Sequence, residues 1–237
     1  MLPIDLQILK YIFFEKPIYH YKIKPYLKRT DYQNLHDELE HYQRPETMLK
    51  ANLKDIDFTI FDLETTGFLP EIGHEIISIG AIRINAFDEE ETFYHVVRPI
   101  RPVNKHILDL TGLDTNQLKE AASFITVFLQ FLEFSRNSVL VAHPAKFDMR
   151  FVKAMLKRWK LPVYDPPYID SQAMAKWLLP TMNCQLDELI KHFHIQQLDR
   201  HHALNDALMT AELFQHLISL SPQHEPFSYL DLKKKLR

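Results

Sequence analysis

The segment Asp62-Leu63-Glu64-Thr65-Thr66-Gly67 constrains this chain most, because two acidic residues stand at the end of an apolar run. Residues 58–61 predict a buried β-strand, which the Thr-Thr-Gly sequence ends. Since side chains alternate along a strand, Asp62 and Glu64 project from one face and can hold a cation between them. Ligands of α/β proteins bind in the crevice at strand ends, so the pair predicts a metal site. A solvated strand end is the alternative.

A third acid, Asp148, lies near the start of a predicted helix. Residues 139–143 form a second apolar run, and apolar residues at helical spacing follow from Phe151 to Trp159. An aspartate at this place either contributes to a site at the strand end or caps the N-terminus of the helix. Both interpretations remain open from the residues alone.

A fourth acid, Asp206, lies within an amphipathic helix that opens near residue 203. His201 precedes it by five residues. Asp206 either joins the other acids or complements the helix dipole, and His201 is either a functional group or an ordinary surface histidine.

Three motifs built on these residues resemble those of the DEDDh family of 3′–5′ exonucleases, to which the proofreading subunit of bacterial DNA polymerase III belongs. Residues 62–67 match the first motif, D-x-E-T-T-G, without change. Residues 142–148 match the second, A-H-N-A-x-F-D, except that Pro144 replaces its asparagine. Residues 201–206 match the third, H-x-A-x-x-D. The motifs occur in the family's order, and the resemblance covers roughly residues 55–220.

The resemblance implies a fold and an activity. The fold is α/β and ribonuclease-H-like, with a central mixed β-sheet flanked by helices. The activity is metal-dependent removal of nucleoside 5′-monophosphates from the 3′ ends of nucleic acid. We expect DNA, and specifically single-stranded DNA, as the substrate, because the first motif and the Thr-Gly turn at residues 111–112 look closest to proofreading relatives. A 3′–5′ exoribonuclease that trims RNA ends is one alternative, and a catalytically weak scaffold that binds nucleic acid or a polymerase is another.

The chemistry agrees with this resemblance. Phosphodiester hydrolysis needs an activated water, neutralised phosphate oxygens and a stabilised leaving 3′-oxygen, which two divalent ions about 3.5–4 Å apart can supply. Carboxylate oxygens select Mg²⁺, and Mn²⁺ can substitute. We expect two Mg²⁺ ions per site, with the resemblance implying that Asp62 bridges them. An imidazole titrates near neutral pH, so His201 is the predicted general base. The predicted metal ligands are Asp62, Glu64, Asp148 and Asp206.

The substrate is expected to contact the turn after the first motif. The predicted substrate-binding residues are Thr65, Thr66, Gly67 and Phe68. Phe68 is a candidate platform for stacking a terminal base, because base–aromatic contacts tolerate any sequence. A buried core phenylalanine is the alternative for this position.

A zinc site is a rival interpretation of the region after residue 183. Its potential ligands are Cys184, His192, His194, His201 and His202. Their spacing matches no common zinc module, and the chain has a single cysteine. We therefore expect Cys184 to be a small buried apolar residue.

Composition bounds the number of domains and the cellular setting. A chain of 237 residues with 46% hydrophobic content can bury one α/β core. We expect an N-terminal helical extension over 1–54, an exonuclease domain over 55–220 and a C-terminal tail over 221–237.

The single cysteine suits a reducing compartment, and no signal peptide or membrane span is visible, so we expect a cytoplasmic protein. The net charge of −3 argues against a general nucleic-acid binder, although bound metal ions would reverse the local potential.

The two ends of the chain lie outside the motifs. The first predicted helix has an apolar face made of Leu2, Leu6, Leu9, Ile12 and Phe13, and residues 35–42 predict a second helix. The basic and aromatic residues between 16 and 30 either guide single-stranded nucleic acid or, as we favour, form the solvated face of a packed appendage. The basic end at 233–237 is expected to be solvated. The short stretch after the last motif favours a free-standing nuclease, with a DNA polymerase or repair protein as the expected partner.

Overall fold

The computed structural model describes residues 3–84, 90–221 and 227–236, which contain six β-strands and twelve α-helices. The strands are Phe58–Thr65 (β1), Ile76–Ile84 (β2), Glu90–Arg98 (β3), Ala122–Ser123 (β4), Val139–Ala142 (β5) and Tyr168–Asp170 (β6). The helices before the sheet are Ile4–Lys10 (α1), Lys16–Ile23 (α2), Thr30–Glu40 (α3) and Glu46–Lys50 (α4). The remaining helices are Lys105–Thr111 (α5), Thr115–Glu120 (α6), Phe124–Phe134 (α7), Ala145–Arg158 (α8), Ser171–Leu178 (α9), Leu186–His192 (α10), Ala203–Leu220 (α11) and Tyr229–Lys235 (α12).

The strands form one mixed sheet in the order β4-β3-β2-β1-β5-β6. Strand β1 is antiparallel to β2 and parallel to β5, and β5 is parallel to β6. Parallel pairing brings the carboxyl ends of β1, β5 and β6 to one edge of the sheet. Strand β1 ends there with Asp62 and Glu64, and helix α8, which carries Asp148, begins there after β5. The predicted mixed sheet flanked by helices is confirmed.

The sheet separates two apolar cores. Phe61 and Leu63 of β1 pack into the core that includes α7 and α8, whereas Phe58 and Ile60 pack into the core that includes α11. Because side chains alternate along a strand, Asp62 and Glu64 continue the row of Phe58 and Ile60. The two acids therefore lie on the α11 side of the sheet.

Helices α2 and α3 of the N-terminal extension are packed against the domain, as favoured from the sequence. Tyr19 and Ile23 of α2 and Leu35 of α3 are buried in the same core as α7 and α8. The Tyr32 hydroxyl donates a hydrogen bond to the carbonyl oxygen of Lys160, at 3.0 Å. The extension therefore shares the core of the domain.

The first predicted helix is present, but its apolar face is not buried. Helix α1 has no buried residue, and Leu6, Leu9, Ile12 and Phe13 are all exposed. Leu2, the first member of that face, lies outside the described residues. No helix in the described parts of the chain combines the length and apolarity needed to cross a bilayer.

The C-terminal segment forms a packed helix, and the basic end that was expected to be solvated is its last turn, where Lys234 and Lys235 are exposed. Residues 229–235 form helix α12, whose Tyr229 and Leu232 are buried in the core beneath α11. The Leu53 amide donates to the carbonyl oxygen of Phe227, at 2.9 Å, and ties this segment to the chain just before β1. Arg237 lies outside the described residues, and the domain boundaries remain predictions.

Candidate active site

A glycine on β2 lets the helix that carries Asp206 approach the sheet. Gly80 lies opposite Asp62 in the β1–β2 register. A Cβ atom at Gly80 would overlap the backbone of Ala203 and Leu204, the first residues of α11. The absence of a side chain at Gly80 therefore brings the N-terminal turn of α11 against the strand that carries Asp62.

We expect Gly80→Ala to destabilise the protein by about 1–3 kcal/mol, because overpacking against backbone cannot be relieved by a side-chain rotation. The displaced α11 would also move Asp206 and weaken metal binding. Urea unfolding and calorimetric titration with Mn²⁺ measure the two effects. Gly112→Ala is the control, since a Cβ there meets nothing within 4 Å and only its φ of +69° is unfavourable. Wild-type Mn²⁺ affinity in Gly80→Ala would contradict the proposed role of Gly80 in positioning Asp206 as a metal ligand.

Asp148 lies in the first turn of α8 and is 2% exposed. The N-cap of this helix is Pro144, so the helix-capping alternative for Asp148 is wrong. Burial raises the pKa of Asp148 well above its usual value, and the charges of Asp170 and Glu64 raise it further. Hydrogen bonds from the backbone amides of Asp148 and Leu63 lower this pKa in part, and burial remains the dominant effect.

The third motif places a histidine and an acid beside β1. Asp206 is 5% exposed within α11, and His201 is exposed just before the helix, with φ of 62°. Potential ligand atoms of Glu64, His201 and Asp206 all lie within 4.8 Å of one another. The structure therefore brings the first and third motifs into one cluster.

The neighbouring histidine has a different environment. His202 is the N-cap of α11, and its Nδ1 accepts a hydrogen bond from the Asn205 amide at 3.4 Å. Its ring stacks on Tyr94, with ring centroids 4.5 Å apart. These contacts give His202 a structural place at the helix start, whereas His201 faces the acids.

The acids repel one another. Burial raises the pKa of Asp62 well above its usual value, and the charges of Asp148, Glu64 and Asp206 add to this rise. Burial and the charge of Asp206 raise the pKa of Glu64 to about 7. A cluster that is so costly to ionise fits a bound cation, and its oxygen donors suit Mg²⁺ or Mn²⁺.

Arg200 supplies one positive charge to this cluster and was missed by sequence reasoning. Its guanidinium forms an ion pair with Asp206, and its Nε lies 2.8 Å from Oδ1 of Asp187 on α10. Burial raises the pKa of Asp206, and the Arg200 guanidinium lowers it. The only signal in the sequence was a basic residue directly before the third motif.

We expect Arg200→Gln to bind Mn²⁺ about tenfold more tightly, because the guanidinium competes with the metal for the Asp206 carboxylate. Calorimetric titration of the wild type and variant measures this difference without any turnover. Arg150→Gln is the matched control, since Arg150 pairs with Glu71 instead of a residue of the cluster. Unchanged or weaker Mn²⁺ binding by Arg200→Gln would show that the guanidinium does not oppose the metal.

The turn after β1 is held by the two threonines. The Thr65 hydroxyl donates to the carbonyl oxygen of Gly67, and the Thr66 hydroxyl accepts from the Glu75 amide, both at 2.9 Å. Gly67 has φ of +146°, and a Cβ there would overlap the imidazole of His74. These three residues shape the turn, and their contact with substrate remains a prediction.

Phe68 is at the tip of this turn and is 75% exposed, so the alternative of a core phenylalanine is wrong. Its ring centroid lies 6.2 Å from that of Phe147, the residue before Asp148. An exposed aromatic ring beside the acids is available to stack on a base.

Hydrogen bonds of His143 and Asp170 hold the second motif against the neighbouring segments. The ring nitrogens of His143 lie 2.9 Å from the Ser171 hydroxyl oxygen and 3.0 Å from the Cys184 carbonyl oxygen. Burial lowers the pKa of His143 to about 4, so the ring is neutral near neutral pH. Asp170 caps α9 through the Ala173 amide and also faces the Lys146 amide, at 3.3 Å. Asp170 was not among the site residues predicted from the sequence.

The rival zinc site is not assembled. Cys184 is 4% exposed, as expected for a small apolar residue. Among the described residues, the two groups of three or more potential metal ligands are His36–Asp37–Glu40 on the surface and Glu64–His201–Asp206 at β1. Neither group contains Cys184, His192 or His194.

Comparisons with known proteins agree with this geometry. The sequence profile of the exonuclease family (RNase T) matches residues 59–214. The chain is 39% identical over 159 residues to DNA polymerase III PolC-type of Caldanaerobacter subterraneus subsp. tengcongensis, covering 67% of this chain and 11% of that protein. It is 32% identical over 170 residues to the PolC-type polymerase of Thermotoga petrophila, covering 72% of this chain and 12% of that protein. The chain thus spans about a tenth of the length of these relatives.

Solved structures share the fold. The nuclease domain of 3′hExo, described as a DEDDh family member bound to rAMP, superposes with a TM-score of 0.64 at 20% identity, covering 72% of this chain and 96% of that one. Exonuclease X in complex with 5′ overhanging duplex DNA superposes with a TM-score of 0.60 at 20% identity, covering 76% and 99%. Since the family profile matches residues 59–214 and the sequence carries all three motifs, the chain belongs to the exonuclease family, as a member of its DEDDh group of 3′–5′ exonucleases.

Proposed function

We propose that this exonuclease acts preferentially on the 3′ ends of DNA, by a mechanism that uses two divalent ions and His201 as general base. The main observation in support of this proposal is the cluster of Glu64, His201 and Asp206, whose potential ligand atoms lie within 4.8 Å of one another. Asp62 and Asp148 are close enough to this cluster for their charges to affect one another. Members of the DEDDh family depend on divalent metal, and the acids present here fit that requirement.

The proposed residue roles follow from the donor chemistry. Asp62, Glu64, Asp148 and Asp206 would hold two Mg²⁺ ions, which when bound neutralise phosphate charge and polarise the attacking water. A ring nitrogen of His201 takes the proton from that water, since the ring is exposed and borders the acids. Phe68 stacks on the terminal base and orients the last nucleotide.

The preference for DNA is supported by the PolC-type polymerases, which are 32% to 39% identical to this chain over the matched part. A polymerase or repair partner and a cytoplasmic location belong to the same proposal. An RNA-trimming enzyme is the second candidate, because the fold neighbours also include a 3′-exonuclease that recognises the histone mRNA stem-loop. The presence of all five acidic and histidine groups argues against a catalytically idle scaffold.

One assay separates these candidates. The purified chain is given 5′-labelled single-stranded DNA, duplex DNA and RNA of the same sequence, with Mg²⁺ or Mn²⁺, and the products are resolved by length and by nucleotide analysis. We expect nucleoside 5′-monophosphates and progressive shortening from the 3′ end, fastest on single-stranded DNA and absent with EDTA. Faster shortening of RNA would overturn the DNA preference, and shortening that persists in EDTA would overturn the metal mechanism.

A further inference from the structure

The exposed face of α8 carries only positive charges. Lys146, Arg150, Lys153 and Lys157 are spaced by four, three and four residues, so they lie in one row along the helix. All four are exposed. The only acid of α8 is Asp148, which is buried and points toward the candidate active site, roughly opposite to this row.

This row is unusual for a solvated helix in an acidic protein. The chain has a net charge of −3, and exposed helix faces are commonly stabilised by acidic and basic residues three or four positions apart. Here, residues at those positions carry the same charge and repel one another. A surface that accumulates repulsion in this way suits an anionic ligand.

Few acids neutralise the row. The Arg150 Nε lies 2.6 Å from Oε1 of Glu71, and the Lys153 Nζ lies 3.8 Å from Oδ1 of Asp165. Within the described parts of the chain, Lys146 and Lys157 form no ion pair. The row therefore keeps an uncompensated positive charge at both of its ends.

The row begins beside the candidate active site. The Lys146 amide faces the Asp170 carboxylate, which in turn raises the pKa of Asp148. Tyr168 lines the groove along the row, and the Nζ of Lys233 lies 4.4 Å from its ring centroid. From residue 146 to residue 157 the helix rises about 16 Å, which is long enough to follow several backbone phosphates.

We propose that Lys146, Arg150, Lys153 and Lys157, here named the α8 basic row, bind the backbone phosphates of the strand whose 3′ end lies in the active site. This inference rests on the proposed function, because it assigns a path to the rest of that substrate. Contacts to phosphates fix the strand without reading its sequence, as a nuclease that shortens any strand requires. Binding through the row also makes affinity dependent on salt.

The test uses Lys153→Gln/Lys157→Gln, which leaves Lys146 next to the site unchanged. Lys119→Gln/Lys191→Gln is the matched control, with the same loss of charge at exposed positions of α6 and α10. Binding of a fluorescent oligothymidylate long enough to span α8 is followed by anisotropy in EDTA over a salt series. Hydrolysis of the p-nitrophenyl ester of thymidine 5′-monophosphate, which has no further strand, is measured with Mn²⁺.

We expect the α8 variant to bind the oligonucleotide at least about tenfold more weakly at low salt. The slope of log affinity against log salt should fall by about 1.4, because each of the two lysines accounts for about 0.7 on a single strand. Its hydrolysis of the small ester should equal that of the wild type. Wild-type affinity and slope in the α8 variant, or an equal loss in the control, would overturn the inference. Failure of the wild type to hydrolyse either DNA or the ester would instead overturn the proposed function, and the binding measurement would still decide the role of the row.

Discussion

We expect Asp148→Ala and Asp206→Ala to lower the rate of hydrolysis by about 10³-fold or more, because each removes a ligand for the ions that stabilise the reacting phosphate. The fold should survive, since neither acid is the N-cap of its helix and the apolar faces of α8 and α11 are unchanged. Nuclease assays and far-ultraviolet circular dichroism check the two statements. Asp109→Ala, at an exposed position of α5, is the control.

Asp148→Ala should also raise the thermal stability in EDTA at neutral pH. Burial and the neighbouring acids raise the pKa of Asp148 in the folded state, so the folded protein binds its proton more tightly than the unfolded chain. Its ionisation therefore costs stability as the pH rises from the unfolded value of about 4 through the folded pKa. The gain in melting temperature should be present at neutral pH and disappear near pH 3, where the carboxyl is protonated in both states. Undiminished cleavage by this variant, or a melting temperature below that of the wild type at neutral pH, would contradict the assignment.

We expect His201→Ala to lower the rate by about 10² to 10⁴, the usual contribution of a general base. The affinity for Mn²⁺ should change little, because the four carboxylates remain in place. Single-turnover cleavage of one oligonucleotide and calorimetric titration with Mn²⁺ measure these effects separately. A large loss of Mn²⁺ affinity in this variant would make His201 a metal ligand instead.

His202→Ala is the matched control for this prediction. His202 caps α11 and stacks on Tyr94, so its removal should lower the stability by about 1 kcal/mol while most of the activity remains. If His202 proves essential and His201 dispensable, the alignment of the third motif is wrong by one residue.

The local pattern of the sequence was sufficient to predict the central strand and the position of its acids. Residues 58–61 are apolar and β1 continues through them to Thr65, with Asp62 and Glu64 on one face. This succeeds because side-chain alternation is a property of neighbouring residues in one strand. The helices that carry Asp148 and Asp206 were predicted for the same reason, from the spacing of their own apolar residues.

Contacts between distant segments were not predictable in this way. Gly80 gives no local signal, yet its missing side chain decides how closely α11 approaches β1. Arg200 is an ordinary basic residue in the sequence, and only the folded chain places it between Asp206 and Asp187. The sequence alone could not decide whether Phe68 is a core residue or an exposed one. In the structure it is exposed, because it lies at the tip of the turn that Thr65 and Thr66 hold.

The sequence by itself determined the strand-end acids, the helices that bring the others, and the family that shares their spacing. Tertiary structure decided which of these groups meet, that they repel one another, and that α12 packs against the core through Tyr229 and Leu232. The physical reason is the range of the interactions. Periodicity reports which face of one element is apolar, whereas the burial that raises the pKa of Asp62 arises only when β1, α8 and α11 pack together.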